Sequence, residues 1–305
     1  MNGHRFVTLD VFTSTRFGGN QLAVFPDARA IPESSLLAIT REFNFSEVTF
    51  CYPPENPAHA KRVRIFTPAT EVPFAGHPTV GTAIALHLLG EAGPDQGGEM
   101  RIILEEGIGP VAVTIRPGHD GPSFAQFSVA KLPEIGPSAP SRGMLADILS
   151  LDTDDLVGSS NPAQAISCGL PFLLVPLRSV DAVSRARVRI EKWENTLKSS
   201  WAPDLFIFAR DPDGGASHYR ARAFVPSMSV PEDPATGSAN ACFAGYLAAR
   251  APIGDGSISW TVDQGVEMGR PSRIEIEADR SGGAITAIRV GGRAVLMSEG
   301  TLRLA

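Results

Sequence analysis

An α+β chain built as two pseudo-symmetric lobes is what this sequence predicts. Three observations carry that reading: an internal repeat at about half the chain length, strand signals that outnumber helix signals, and a length of 305 residues, more than one typical domain. The repeat is explicit. Arg64, Phe66, Pro68, Val72 and Pro73 recur as Arg222, Phe224, Pro226, Val230 and Pro231 at a constant offset of 158. After the shared Val-Pro the second copy inserts Glu232-Asp233-Pro234, and each copy then reaches a small-residue glycine motif opening an apolar, Ala-rich run. These motifs are Ala75-Gly76-His77-Pro78 and Thr236-Gly237-Ser238-Ala239. A repeat of this length argues for two facing lobes rather than a solenoid, with the natural site between them.

The elements follow in order. Phe6 to Phe12, Gln21 to Phe25, Glu47 to Tyr52, Arg62 to Phe66, Met100 to Leu104 and Pro110 to Ile115 read as strands bounded by Gly, Pro and Asn. Pro32 to Phe43 reads as an amphipathic helix. In the first glycine motif His77 is expected as N-cap with Pro78 at the first helical position, and the helix runs to Leu89, stopped by Gly90. In the second, Ser238 or Thr236 caps a helix running to Ala249. Both helices are small and apolar, which places each centrally in its lobe with its N-terminal N–H groups and positive dipole end available to a carboxylate or enolate-like anion. Gly19-Asn-Gln-Leu-Ala-Val-Phe-Pro26 matches Gly169-Leu-Pro-Phe-Leu-Leu-Val-Pro176 at an offset of 150, so the duplication extends beyond the glycine motifs. The polar stretch from Arg116 to Pro122 suggests lobes 1–118 and 119–284. Strand signals at Ala284 to Val290 and Ala294 to Met297 would let residues 285–305 return to the first lobe.

Composition narrows the function. A net charge of −6 with no Lys/Arg-rich run disfavours nucleic acid. No apolar run reaches membrane-spanning length, and Met1-Asn2-Gly3-His4-Arg5 leads straight into a strand rather than a signal peptide, so a cytoplasmic protein without a membrane partner is expected. Cys51, Cys168 and Cys242 are odd in number and widely spaced, as free thiols are. His4, His59, His77, His87, His119 and His218 show no metal-ligand spacing. Gly107-Ile-Gly109-Pro-Val-Ala112 has the form of a dinucleotide fingerprint, but the residues after it read as a strand instead of a helix. No Gly-x-Ser-x-Gly is present. The expectation is an enzyme with no cofactor and no metal.

Two carboxylates stand out. At the offset of 158 Glu47 falls opposite Leu205 and Ser46 opposite Asp204, so Glu47 breaks the symmetry of the repeat. It opens a strand with apolar residues on both sides, where desolvation favours the neutral carboxyl and suits a group that takes and gives a proton. Asp233 lies in the inserted tripeptide just before the second glycine motif, where a turn-forming role is the alternative.

Asn44-Phe-Ser-Glu47-Val-Thr-Phe, Phe66-Thr-Pro68, Glu71-Val-Pro-Phe-Ala-Gly76-His77-Pro78, Glu232-Asp233-Pro-Ala-Thr-Gly237-Ser238-Ala and Gln264-Gly-Val-Glu-Met-Gly269-Arg-Pro-Ser272 together resemble the PhzF family of phenazine-biosynthesis-type isomerases. That resemblance implies the diaminopimelate-epimerase fold, each lobe a curved mixed sheet or barrel around a central helix. It also implies roles: Glu47 as general acid/base, His77 and Asp233 as residues that move or orient the proton, and Asn20, Gly76, Gly237 and Ser238 as substrate-binding positions. Gln21 departs from the Pro that usually follows this Asn in the family, so a differently built turn and substrate edge are expected there. Where related epimerases carry two facing cysteines, this chain has Ala75 and Thr236, neither of which is a thiol. The expected reaction is therefore a proton shift along one face of a small unsaturated or cyclic carboxylic acid, of the trans-2,3-dihydro-3-hydroxyanthranilate isomerase type. An amino-acid epimerase or racemase, and a non-catalytic small-anion binder on the same fold, are the alternatives. The resemblance also implies a homodimer.

Overall fold

The computed structural model describes residues 3–93, 98–118, 121–215, 218–228, 230–252 and 254–304; His119 lies outside them. Two compact units are formed, Met1–Ser128 with Val290–Ala305, and Val129–Arg289.

The first unit contains β1 (Gly3–Val11), β2 (Asn20–Phe25), α1 (Leu36–Phe43), β3 (Glu47–Tyr52), β4 (Lys61–Phe66), β5 (Glu71–Val72), α2 (Gly76–Leu88), β6 (Met100–Glu106), β7 (Gly109–Arg116) and β8 (Phe124–Ser128). β1 pairs antiparallel with β2, β2 parallel with β3, β3 antiparallel with β4, β4 parallel with β6, and β6, β7 and β8 form antiparallel neighbours. The C-terminal strand of the chain, residues 284–303, pairs antiparallel with β1 from Gly3↔Arg303 to Val11↔Ala294 and also bonds β8. Eight strands thus close into a ring with no free edge. α2 packs against β1, β2, β3, β6, β7 and β8, and every residue from Gly76 to Leu86 is buried. This explains the all-round apolar character of the helix. Gly81 lets it reach the wall: a Cβ there would fall 2.5 Å from the Leu22 side chain and 2.7 Å from that of Val11. Outside the ring α1 covers Phe25, Val48, Phe50 and Phe66 with Leu36 and Ile39.

The second unit repeats the plan. It contains β9 (Glu134–Ser138), α3 (Arg142–Leu149), β10 (Gln164–Ser167), β11 (Pro171–Pro176), α4 (Val180–Arg185), α5 (Ile190–Thr196), β12 (Asp204–Arg210), β13 (His218–Val225), β14 (Val230–Asp233), α6 (Gly237–Ala248), β15 (Gly256–Gln264) and β16 (Ser272–Ser281), followed by β17 (Ala284–Arg303). The pairings from β10 to β16 reproduce those from β1 to β7 in order and direction. α6 packs on β10, β11, β15 and β16 and is buried almost throughout, as α2 is. Three outer helices, α3, α4 and α5, cover the other face of the sheet over a core that includes Leu149, Val183, Trp193 and Ile207.

Three expectations need correction. The C-terminal segments read as two strands form one, and Gly291 within it lets the strand lie close against β8, where a Cβ would fall 2.7 Å from the Ala125 carbonyl. His77 is not an N-cap: Thr79 N already bonds Ala75 O at 3.2 Å, so α2 starts at Gly76 with Ala75 as its N-cap, and Pro78 is the third helical residue, still among the positions without an N–H partner. The opposition of Glu47 to Leu205 also fails. Leu22 faces Glu47, and Phe172, 150 residues further on, faces Asp204, which is 157 residues on from Glu47. The second copy gains its last extra residue only after this strand, between β12 and β13, so the offset here is still 157 and Asp204 is the counterpart of Glu47. The two carboxylates differ in use, since Asp204 accepts from Ser227 N at 3.1 Å and Ser227 Oγ at 2.6 Å and so holds the turn after β13.

Candidate active site

In the first unit the site grows from two parallel strands that begin side by side. α1 ends on Asn44 in the left-handed conformation, φ 53°, which reverses the chain and delivers Ser46 and Glu47 to the head of β3, beside Asn20 at the head of β2. Ser46 Oγ donates to Asn20 Oδ1 at 2.8 Å. This turns the Asn20 amide so that Nδ2 meets His77 Nδ1 at 3.2 Å. The opposite ring nitrogen, Nε2, stands 3.6 Å from Glu47 Oε2. His77 is the second residue of α2, so the imidazole shares the helix's first turn with Gly76 and its amides. Burial drives the His77 pKa down to about 3, against a hydrogen bond to the Gln21 backbone that works the other way. At neutral pH the ring is therefore uncharged, and its contact with Glu47 is not an ion pair. Glu47 keeps 18% of its side chain exposed, against 4% for His77. A carboxylate with access to solvent, backed by a neutral ring, can exchange a proton with a bound molecule.

In the second unit the corresponding helix start is organised differently. Asp233 ends β14, and its Oδ2 accepts from Thr236 Oγ1 at 2.6 Å. Thr236 occupies the N-cap position of α6, but its hydroxyl serves Asp233 instead of capping the helix. Buried Gln264 ties the turn together: Nε2 donates to Asp233 O at 2.7 Å and Thr236 Oγ1 at 3.0 Å, while Oε1 accepts from Thr236 N at 3.3 Å and Asn240 Nδ2 at 3.0 Å. Gly237 and Ser238 follow as the first two helical residues, with Ser238 at the place His77 holds in α2.

The structure thus brings Asn20, Glu47, Gly76 and His77 together in one unit and Asp233, Gly237 and Ser238 together in the other. Reading the sequence missed Ser46 as the residue that orients Asn20. It also gave no role to Gln264, or to Thr79 and Glu106. A signal existed: Glu106-Gly107 and Gln264-Gly265 stand at the same offset of 158 that marks the repeat.

Comparison with known proteins extends this geometry. The family model described as phenazine biosynthesis-like protein matches residues 9–300. The chain belongs to the phenazine biosynthesis-like family. Within it, the chain is 40% identical to an uncharacterized isomerase of Mesorhizobium japonicum over 99% of both chains. It is 34% identical to the trans-2,3-dihydro-3-hydroxyanthranilate isomerase of Pseudomonas aeruginosa, over 97% of this chain and 98% of that one. Among solved structures, a predicted epimerase from Pseudomonas aeruginosa superposes with a TM-score of 0.80 at 33% identity, covering 99% of this chain and 100% of that one. The fold is the diaminopimelate-epimerase-like one that the resemblance implied, and the chain is an isomerase of the phenazine biosynthesis-like family. Among the described residues no helix is long and apolar enough to cross a membrane.

Proposed function

We propose that this isomerase moves a proton within a small unsaturated or cyclic carboxylic acid, chemically akin to trans-2,3-dihydro-3-hydroxyanthranilate, with Glu47 as the general acid/base and no cofactor. The observation that carries the reading is the Ser46–Asn20–His77–Glu47 chain at the start of α2. Glu47 as carboxylate removes a proton from a carbon conjugated with the substrate's carboxyl or double bond, leaving an extended enolate-like anion. The Glu47 carboxylic acid so formed returns the proton to another carbon of the same system, which moves the double bond and leaves the atom count unchanged. His77, neutral, hydrogen-bonds the migrating proton or the substrate without quenching the carboxylate. Gly76 offers a helix-start donor to the substrate's negative oxygens, and in the second unit Gly237 and Ser238 supply the same kind of helix-start donor to an anion. Asn20 holds His77 and the substrate edge. Asp233, its hydroxyl partner in place, orients or relays. The protein works as a cytoplasmic homodimer in this reading.

Epimerisation is the second reading, favoured by one observation: Asp233 is a second carboxylate whose surroundings are as closely organised as those of Glu47. Incubation of the enzyme in deuterated water with trans-2,3-dihydro-3-hydroxyanthranilate and a panel of unsaturated acids and amino acids, followed by NMR, separates the two. A displaced double bond with deuterium at the new position supports the isomerase. Inversion at a saturated stereocentre with deuterium retained there would replace it by the epimerase.

A further inference from the structure

Glu106 takes no part in the chemistry above, yet it is buried at the last position of β6 and reaches α2. Its Oε1 lies 2.8 Å from Thr79 Oγ1, while Oε2 is enclosed with no hydrogen-bond partner among the described residues. The duplication explains what stands there. Arg62 faces Glu105 across β4 and β6, and Arg220 faces Asp263 across β13 and β15, each 158 residues further on, so the next residue of each strand, Glu106 or Gln264, fills the same place. Their partners correspond too. Thr79 and Asn240 are each the fourth residue of their helix, and each side chain also bonds the carbonyl of the N-cap residue, Thr79 Oγ1 to Ala75 O at 2.8 Å and Asn240 Nδ2 to Thr236 O at 2.9 Å. Gln264 Oε1 meets Asn240 Nδ2 as Glu106 Oε1 meets Thr79 Oγ1.

We propose that Glu106 is a positioning residue that does for α2 what Gln264 does for α6, latching the first helical turn to the sheet so that Gly76 and His77 keep their places beside Glu47. A protonated carboxyl has the shape of the Gln amide and carries no charge, so it fills this position without burying an ion. Burial pushes the Glu106 pKa up to about 8, only partly opposed by the Thr79 hydroxyl. Among the described residues no cation pairs with it. On β4, Lys61 pairs with Glu91, Arg64 with Glu71, and Arg62 with Glu55 at 3.9 Å. Beside it on β6, Glu105 is taken by His59 and by the Glu55 and Asn56 amides. Cys51 on β3 is a buried thiol whose pKa is raised to about 12, and His77 on α2 is neutral. Ionised, Glu106 would place an unpaired negative charge behind the turn that meets the substrate anion.

The activity half of this proposal rests on the function proposed above; the stability half does not. Because the folded chain holds a proton on Glu106 that the unfolded chain releases at ordinary carboxylate pH, the group's stabilisation declines as pH rises from about 5 and levels off above about 8. Glu106→Gln removes this titration. Melting temperatures of wild type and E106Q between about pH 5 and about pH 9 should therefore diverge, the variant gaining on wild type as pH rises. Glu106→Leu removes the polar link from β6 to Thr79, which keeps only its bond to Ala75 O, and should lower kcat/KM by roughly 10- to 100-fold through misplacement of the helix start. E106Q should recover that loss and keep its rate to higher pH than wild type. Parallel Tm profiles for wild type and E106Q would overturn the proposal even if E106L fails to fold. So would an E106L enzyme as active as wild type. If the Tm profiles diverge while no isomerisation is seen with any substrate, the latch stands and the functional reading falls.

Discussion

Glu47 is the residue on which the chemistry turns. Glu47→Gln keeps size and hydrogen bonding while removing the titratable proton, so turnover and solvent-deuterium exchange should fall by about 10² to 10⁴ with binding nearly unchanged, measured by NMR exchange and calorimetry side by side. A variant with full activity would move the chemistry elsewhere. His77 sets an acid limit. Held neutral with its pKa down to about 3, it binds no proton where the unfolded ring does, so its contribution to stability is complete above about pH 6.5 and is lost as pH falls from there towards 3. His77→Asn should show a smaller loss of Tm across that acid window than wild type, by differential scanning calorimetry. At this scale the sequence was legible where the residue's own chemistry gave it away: His77 and Asp233 are titratable groups at or beside the glycine motifs, and Glu47 is a carboxyl flanked by apolar residues at the head of a strand. It was illegible where a partner defines the role. Ser46 matters because it aims Asn20, and a bare Thr at position 236 does not disclose that its hydroxyl is shared between Asp233 and Gln264.

At the scale of elements, the strands and the two central helices could be read directly, because continuous apolar runs and small residues record burial on all sides. The outer helices α3, α4 and α5 could not, since six to eight residues give barely two turns of periodicity; only the Ser141 and Ser179 caps, each accepting from a backbone N–H three residues on, announced two of them. Register was the other blind spot. The offset between copies steps from 150 to 157 to 158 along successive strands, so a single offset carried across a loop turned Asp204 into Leu205 as the counterpart of Glu47. The turn before α6 carries a prediction of its own. Thr236→Val, harmless if the hydroxyl were merely a replacement for a thiol, instead removes the hydrogen bond from Thr236 Oγ1 to Asp233 and the acceptor that Gln264 Nε2 uses. It should cost about 1 to 3 kcal/mol of stability and lower turnover, whereas Thr236→Ser should restore both; urea titration and rate measurements on the pair decide it. Equal stability of the Val and wild-type proteins would mean that Asp233 finds another partner.

At the scale of the whole molecule, the duplication is complete in topology but unequal in closure. The second unit is one continuous segment, Val129–Arg289, whereas the first is closed only when the chain returns after residue 289. Within β17 the residues from Ala294 to Arg303 face all of β1, and β17 also bonds β8, so removing them opens the ring on both sides and exposes a long unpaired edge along β1. Truncation after Arg289 should therefore leave the first unit unfolded or aggregated while the second keeps its core. The register offers a sharper test. Arg303 sits opposite Gly3, so a two-residue Asn-Gly turn can join residue 303 directly to residue 3 as a β-hairpin. A chain running 290–303, Asn-Gly, then 3–128 should fold alone into the closed first unit, with dispersed amide NMR signals and a cooperative melt. In it, the His77 ring should stay neutral at pH 7, since α2, whose first turn buries it, belongs to this unit. A fragment of residues 3–128 alone that folds equally well would show that the returning strand is dispensable to the ring.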